Sequence, residues 1–170
     1  MNDLRDLNVI AALALALADA VQGAAERPVP ERGPAAAALM MIAHLPGISV
    51  EELRTGVSLS HPGAVRLIDR LQAQGLVRRE ANREDARRVA LYLTEAGASM
   101  AADIAAGRAA AMRRALATLD PAEAATLATL ADKMLRALVS SDAEALKICR
   151  LCDEGACRDC PVEEKLAAMG

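Results

Sequence analysis

The sequence predicts a mostly α-helical chain carrying one small β-hairpin, and three observations give this. Of 170 residues, 54% are apolar but only 1% aromatic, with Tyr92 the single ring, so a core must be built from Ala, Leu, Val, Ile and Met. Such a composition suits closely packed helices. Capping and breaking residues punctuate the apolar stretches, and period-two alternation is confined to the segment ending at Leu93. The length allows one domain with a long dimerising arm, but not two independent cores.

Leu4 to Ala25 reads as one long helix, apolar on several faces, that needs a partner to cover it. The stretch ERPVPERGP, Glu26 to Pro34, breaks it, and Ala35 to Leu45 forms a second helix stopped by Pro46 and Gly47. Ser49 and Glu52 make a capping box, each side chain bonding the other's backbone N–H, with Ile48 and Leu53 as hydrophobic staple. A short helix therefore starts at Val50 and ends near Gly56. Ser60 caps the next, whose first turn holds Pro62, where a missing N–H costs little; Gly75 ends it. On that helix Ala64, Leu67, Ile68 and Leu71 fall on one face, Pro62, Arg66 and Asp69 on the other, and Arg70 at the flank.

Leu76 to Glu80 and Arg87 to Leu93 read as two strands joined by the polar tip ANREDA. In the second, Val89, Leu91 and Leu93 alternate with Arg88, Ala90 and Tyr92, as a half-buried strand requires. Helix resumes after Thr94 to about Ala117, and restarts at Asp120, where Asp-Pro-Ala-Glu supplies a cap, a first-turn proline and an acidic first turn, to run to about Val139. Ser141 with Glu144 offers another capping box, starting a short helix into Cys149.

Net charge is −3, but it is unevenly spread. From Arg66 to Arg88 seven arginines face four acids, a local +3; from Asp142 onward seven acids face four bases, a local −3. A basic face on an acidic protein follows. A short helix, a turn, a second helix with a polar outer face and then a basic hairpin is the order of a winged helix-turn-helix. A helix presenting Arg66 and Arg70 outward fits the major groove of double-stranded DNA. Its N-terminus, with free backbone N–H groups at Ser60, His61 and Gly63 beside Pro62, favours a phosphate. A hairpin tip bearing Arg83 and Arg87 reaches the adjacent minor groove. Gly63, unfavourable inside a helix, fits either close approach to DNA or tight packing on the preceding helix.

SHPGAVRLIDRLQAQGLVRRE followed by NREDARRVALYLTEAG resembles the recognition helix and wing of MarR-type transcriptional regulators. The likeness runs over residues 1 to about 139 and is specific in 49–97. It implies an obligate homodimer with the first and last long helices of the subunits interleaved, and a wing in which Asp85 holds Arg87 for insertion. It also implies a small-molecule effector, anionic or phenolic in many relatives; here the cleft would be lined by Ala, Leu and Met without aromatic rings. Where many relatives have two arginines after the wing aspartate, this chain has Ala86 then Arg87, so no phosphate contact transfers to Ala86. The expected organisation is a dimerisation helix and linker over 1–33, a winged domain over 34–95, dimerisation helices over 96–140 and a cysteine-rich tail over 141–170. The expected function is a homodimeric, sequence-specific regulator, a repressor, on a pseudopalindromic operator. The alternative is a protein–protein interaction module using a zinc-stabilised tail on a winged scaffold.

All four cysteines, Cys149, Cys152, Cys157 and Cys160, fall within twelve residues as C-x2-C-x4-C-x2-C. Two C-x2-C knuckles each grip one side of a tetrahedral ion, with Gly155 permitting a sharp reversal between them, so structural zinc is the first expectation. An iron–sulfur cluster is the rival, because Cys152-x4-Cys157-x2-Cys160 has a ferredoxin-like spacing and Pro161 follows. Reversible disulfides come third. The tail is expected beside the dimerising helices from which it extends. His44 reads as a partly buried histidine. A dithiol oxidoreductase would need a βαβ context that the sequence lacks, so no enzyme is expected. The longest apolar run, Val9 to Ala18, is shorter than the roughly 20 residues that cross a bilayer, and the start carries Asp3 and Asp6 against Arg5, so a cytoplasmic chain off the membrane is expected.

Overall fold

Side-chain caps set where the helices begin. In the computed structural model, which describes residues 3–81, 89–157 and 159–169, the order is α1 (Leu4–Glu26), α2 (Ala35–His44), β1 (Ile48–Ser49), α3 (Val50–Gly56), α4 (His61–Ala73), β2 (Val77–Ala81), β3 (Val89–Leu93), α5 (Glu95–Leu116), α6 (Pro121–Leu138), α7 (Asp142–Cys149), a 3-10 turn (Glu154–Ala156) and α8 (Pro161–Ala167). The capping box at α3 is complete: the Glu52 N–H donates to Ser49 Oγ at 3.2 Å and the Ser49 N–H to Glu52 Oε2 at 2.9 Å. Asp120 and Glu123 build another at α6. At α7 the expected box is only half made. The Glu144 N–H donates to Ser141 Oγ, but the Glu144 carboxylate turns to Ser140, accepting from its N–H at 2.8 Å and from its hydroxyl. That pairing holds the Glu144 carboxyl below the ordinary carboxylate range.

The sheet is antiparallel with order β1-β3-β2, pairing Ile48 with Leu91 and Val77 with Leu93. The strand β1 is an addition to the sequence reading, which took Ile48 and Ser49 only as staple and cap. Gly47, at φ +92°, turns the chain onto β3, and its N–H donates to the Leu91 carbonyl at 2.8 Å. A side chain there would be strained and would also meet the Tyr92 hydroxyl.

One apolar cluster joins α2, α3, α4, the sheet and α5, and its fully buried side chains include Leu39, Ile42, Leu53, Leu67, Ile68, Leu71, Leu91 and Ile104. The sheet and α5 meet at Gly97. The Thr94 hydroxyl caps α5 by accepting from the Gly97 N–H at 3.1 Å and donates to the Gly75 carbonyl at 2.5 Å; the Thr94 N–H donates to the Leu76 carbonyl at 3.0 Å. A β-carbon on Gly97 would overlap the Leu76 carbonyl oxygen.

Two long helices leave most of their surface outside this core. Helix α1 buries only Ala24 and Ala25, and α6 buries no residue. Helix α1 lies against α5 so closely that a β-carbon on Gly107 would stand 3.0 Å from the Ala24 carbonyl oxygen. As a whole α1 is long and apolar enough to cross a membrane by length and composition, because its apolar character extends beyond Val9 to Ala18; a helix that packs on a partner passes the same test.

The tail differs from expectation in two ways. It forms a further helix, α8, and it does not rest on the dimerising helices alone: α8 packs on α6, whereas α7 packs on α3 inside the winged domain.

Two glycine substitutions should act in opposite directions. Gly97→Ala should lower stability by about 1–3 kcal/mol through overpacking against a backbone that cannot yield. Gly23→Ala, on α1 with nothing within 4 Å of a β-carbon, should leave stability equal or raise it by up to about 1 kcal/mol. Urea midpoints read both.

Candidate nucleic-acid interface and the thiol cavity

Helix α4 is amphipathic in the way its sequence requires. Ala64, Leu67, Ile68 and Leu71 are fully buried, while His61, Pro62, Arg66, Asp69 and Arg70 are exposed. Ser60 caps it, its hydroxyl accepting from the Gly63 N–H at 3.3 Å. A β-carbon on Gly63 would lie 3.2 Å from Ser60 Oγ and 3.6 Å from Leu59 Cβ, so the crowding at this glycine comes from the cap turn and not from α3.

The arginines are not equivalent. Arg66 is exposed and, among the described residues, pairs with no carboxylate. Arg70, grouped with it by sequence as an outward-facing DNA contact, gives its guanidinium to Glu31 at 2.5 Å, tying the α1–α2 linker to the flank of α4. Linker sequence has no periodicity, so nothing in it marked Glu31. Arg79 on β2 reaches Asp69 of α4 at 2.7 Å, and Arg78 stacks over the Tyr92 ring at 4.8 Å while pairing with Glu80. The basic charge of β2 is thus spent within the domain, leaving Arg66, among the described residues, as the open cation of the α4 outer face. Beside the start of α4, Arg54 holds the Glu51 carboxyl below its ordinary range by a hydrogen bond. Arg83, Asp85 and Arg87, expected at the hairpin tip, lie outside the described residues.

The four cysteines line one cavity of about 480 Å³, together with Met41 and His44 of α2, Glu52 of α3, and Val162 of α8. Cys149 and Cys152 flank one tight turn, in which the Cys152 N–H donates to the Cys149 carbonyl at 2.8 Å. Hydrogen bonding from Cys149 pushes the Cys152 thiol down to about 6, helped by Arg108, His44 and Arg150, while Cys149 is pushed up by the same bond and by burial. Cys157 is pushed up, first by burial. Among the described residues no three His, Cys, Asp or Glu side chains converge tightly enough to hold a metal ion as they stand. Among the described residues of the segment the left-handed one is Asp159, at φ +55°, and not Gly155, around which the chain makes a 3-10 turn. A second cavity, about 430 Å³, opens where α1 ends beside α2, α3 and α7; Gln22, Glu26, Lys147 and Arg150 line it, so its walls are more polar than the Ala, Leu and Met expected of an effector cleft.

Two helices, a half-turn and a three-stranded sheet seated on α5 make the winged-helix MarR fold. Residues 32–88 match the MarR family. This MarR match covers the linker, α2 to α4 and β2. Solved structures similar to the chain include wild-type MarR from E. coli, at 24% identity over 79% of this chain and 98% of that one, with a TM-score of 0.63. YusO from Bacillus subtilis is 25% identical over 79% and 95%, with a TM-score of 0.60. A MarR family transcriptional regulator from Silicibacter pomeroyi is 20% identical over 82% and 99%, at 0.64. No curated protein matches the sequence. The cysteines lie beyond the matched stretch.

Ser60→Ala should cost about 1 kcal/mol of stability by orphaning the Gly63 N–H, and Ser60→Asp should restore the cap. Urea unfolding of the three proteins checks this.

Proposed function

We propose that the chain is a DNA-binding transcriptional regulator acting as a homodimer, with α4 in the major groove. The observation that carries this is the outer face of α4: Arg66 is exposed and, among the described residues, uncompensated, on a helix whose opposite face is locked into the core. A guanidinium so placed is suited to the paired acceptors of a guanine edge, and the α4 N-terminus to a backbone phosphate. The MarR match over 32–88 and the transcriptional regulators among similar folds support the same reading. Ser60, His61, Pro62 and Gly63 take the phosphate side. Arg70 acts by holding the linker to α4, and Arg83, Asp85 and Arg87 form the minor-groove arm. The regulator works in the cytoplasm as a repressor, by occupying its operator.

The homodimer rests on the apolar surface of α1 and α6. Leu4 is 81% exposed, Leu130 53%, Met134 56% and Leu138 62%, on two long helices that no other described residue covers at these positions. An apolar groove of about 630 Å³, walled by Leu13, Leu17, Leu116, Leu127 and Leu130, runs between α1 and α6. Each such side chain gains roughly 1.5–3 kcal/mol on full burial, so a second copy is the economical cover. Two-fold symmetry then sets two α4 helices about one turn of DNA apart.

On a duplex selected from a random pool, Arg66→Ala should weaken binding by about 1–3 kcal/mol and relax preference at one base position per half-site. Loss of affinity without any change in preference would remove base reading from Arg66. Leu130→Glu should convert the dimer to a folded monomer, because a surface change alters monomer stability by only about 0.5 kcal/mol. Sedimentation velocity with circular dichroism shows whether it does; an unchanged dimer would move the interface elsewhere.

A further inference from the structure

The tail returns to the winged domain at α3. A β-carbon on Gly56, the last residue of α3, would overlap Met41 Cε and stand 3.3 Å from the Leu146 carbonyl oxygen, so α2, α3 and α7 meet there at backbone distance. On the other side Arg136 of α6 pairs with Glu164 of α8 at 2.6 Å. Val139, Ala145 and Val162 form a small apolar cluster between these two attachments, and Cys149 and Cys160 pack into it. The thiol cavity lies where the attachments meet, with His44 and Glu52 in its wall.

A cluster of three buried residues, with Leu146 and Leu151 partly buried against the main core, is a slight anchor for a segment of some thirty. The backbone between the last two cysteines also holds Asp159 in the left-handed region, at φ +55°, which few side chains other than glycine adopt. Something besides apolar burial must fix the segment. The thiols fall in two C-x2-C pairs that line the one cavity, Cys149 with Cys152 and Cys157 with Cys160; across the first, the Cys152 N–H donates to the Cys149 carbonyl at 2.8 Å. Two pairs facing one cavity need only close on each other to give four sulfur ligands.

We propose that Cys149, Cys152, Cys157 and Cys160 bind one zinc ion as a tetrathiolate, and that this ion ties the end of α7 to the start of α8 and so holds α7 in its place on α3, the helix on which the DNA-facing helix α4 is packed. Each thiol loses its proton to solvent on ligation, so four thiolates and one Zn²⁺ carry a net −2. Arg108 of α5 and Arg150, which both act on Cys152, offset that charge. Losing zinc would free α7 from Gly56 and loosen α3, leaving the α1–α5 contact in place.

The test uses the intact chain purified without oxygen. Elemental analysis with an absorption spectrum should give one zinc per chain in a colourless protein, and Cys157→Ser with Cys160→Ser should abolish retention. Amide exchange followed by mass spectrometry, before and after removing zinc from the unaltered chain with a chelator, should rise by about fivefold or more at α3 and α7 while α1 and α5 hold their protection. Iron with sulfide, or no metal, would overturn the zinc site. Zinc whose removal leaves α3 exchange unchanged, or unfolds the whole chain, would overturn the clamp. These readouts do not involve DNA, so a zinc-clamped protein that bound no duplex would count against the regulator and not against this site.

Discussion

Burial of one face of α4 is the constraint on which the rest depends. Ala64, Leu67, Ile68 and Leu71 sit at no measurable exposure, and their spacing leaves the helix one rotational setting. A rotation that turned Arg66 inward would bury an unpaired charge and expose four apolar side chains together, so the outward setting is enforced by both terms. Leu53 of α3, Leu91 of β3 and Ile104 of α5 complete the packing, which makes the sheet and α5 part of the same device. Gly97 and Gly47 are where backbone must come close enough for it to close.

Much of this was legible in the chain. Ser49, Ser60, Thr94 and Asp120 mark helix starts because a short polar side chain is the cheapest acceptor for orphaned N–H groups, and each caps where its sequence places it. The face of α4 followed from helical spacing alone. What the sequence concealed was mostly long-range. Glu31 lies 39 residues from Arg70, in a breaker-rich linker whose path no local rule fixes. The strand β1 has only two residues and depends on the Gly47 turn reaching Leu91. For the same reason half of the tail's position was hidden: α8 packs on α6 as expected, held there by Arg136, but α7 packs on α3 at Gly56, far away in sequence.

Charge is distributed with a consequence for the proposed activity. Arg70, Arg78 and Arg79 are each compensated inside the domain, by Glu31, Glu80 and Asp69. Among the described residues of α4 and β2, the cation left for DNA in the proposed reading is Arg66. Specific reading gains from this, since phosphate contacts alone carry no sequence information. The two-fold pairing of α1 and α6 would then supply avidity that one α4 helix lacks.

The most direct measurement is a hydroxyl-radical footprint of the purified protein on a duplex selected from a random pool. The account predicts two protected half-sites related by a two-fold axis, centred about 10 base pairs apart, with protection lost as salt rises. A single unpaired protected patch, or none at any salt concentration, would contradict it.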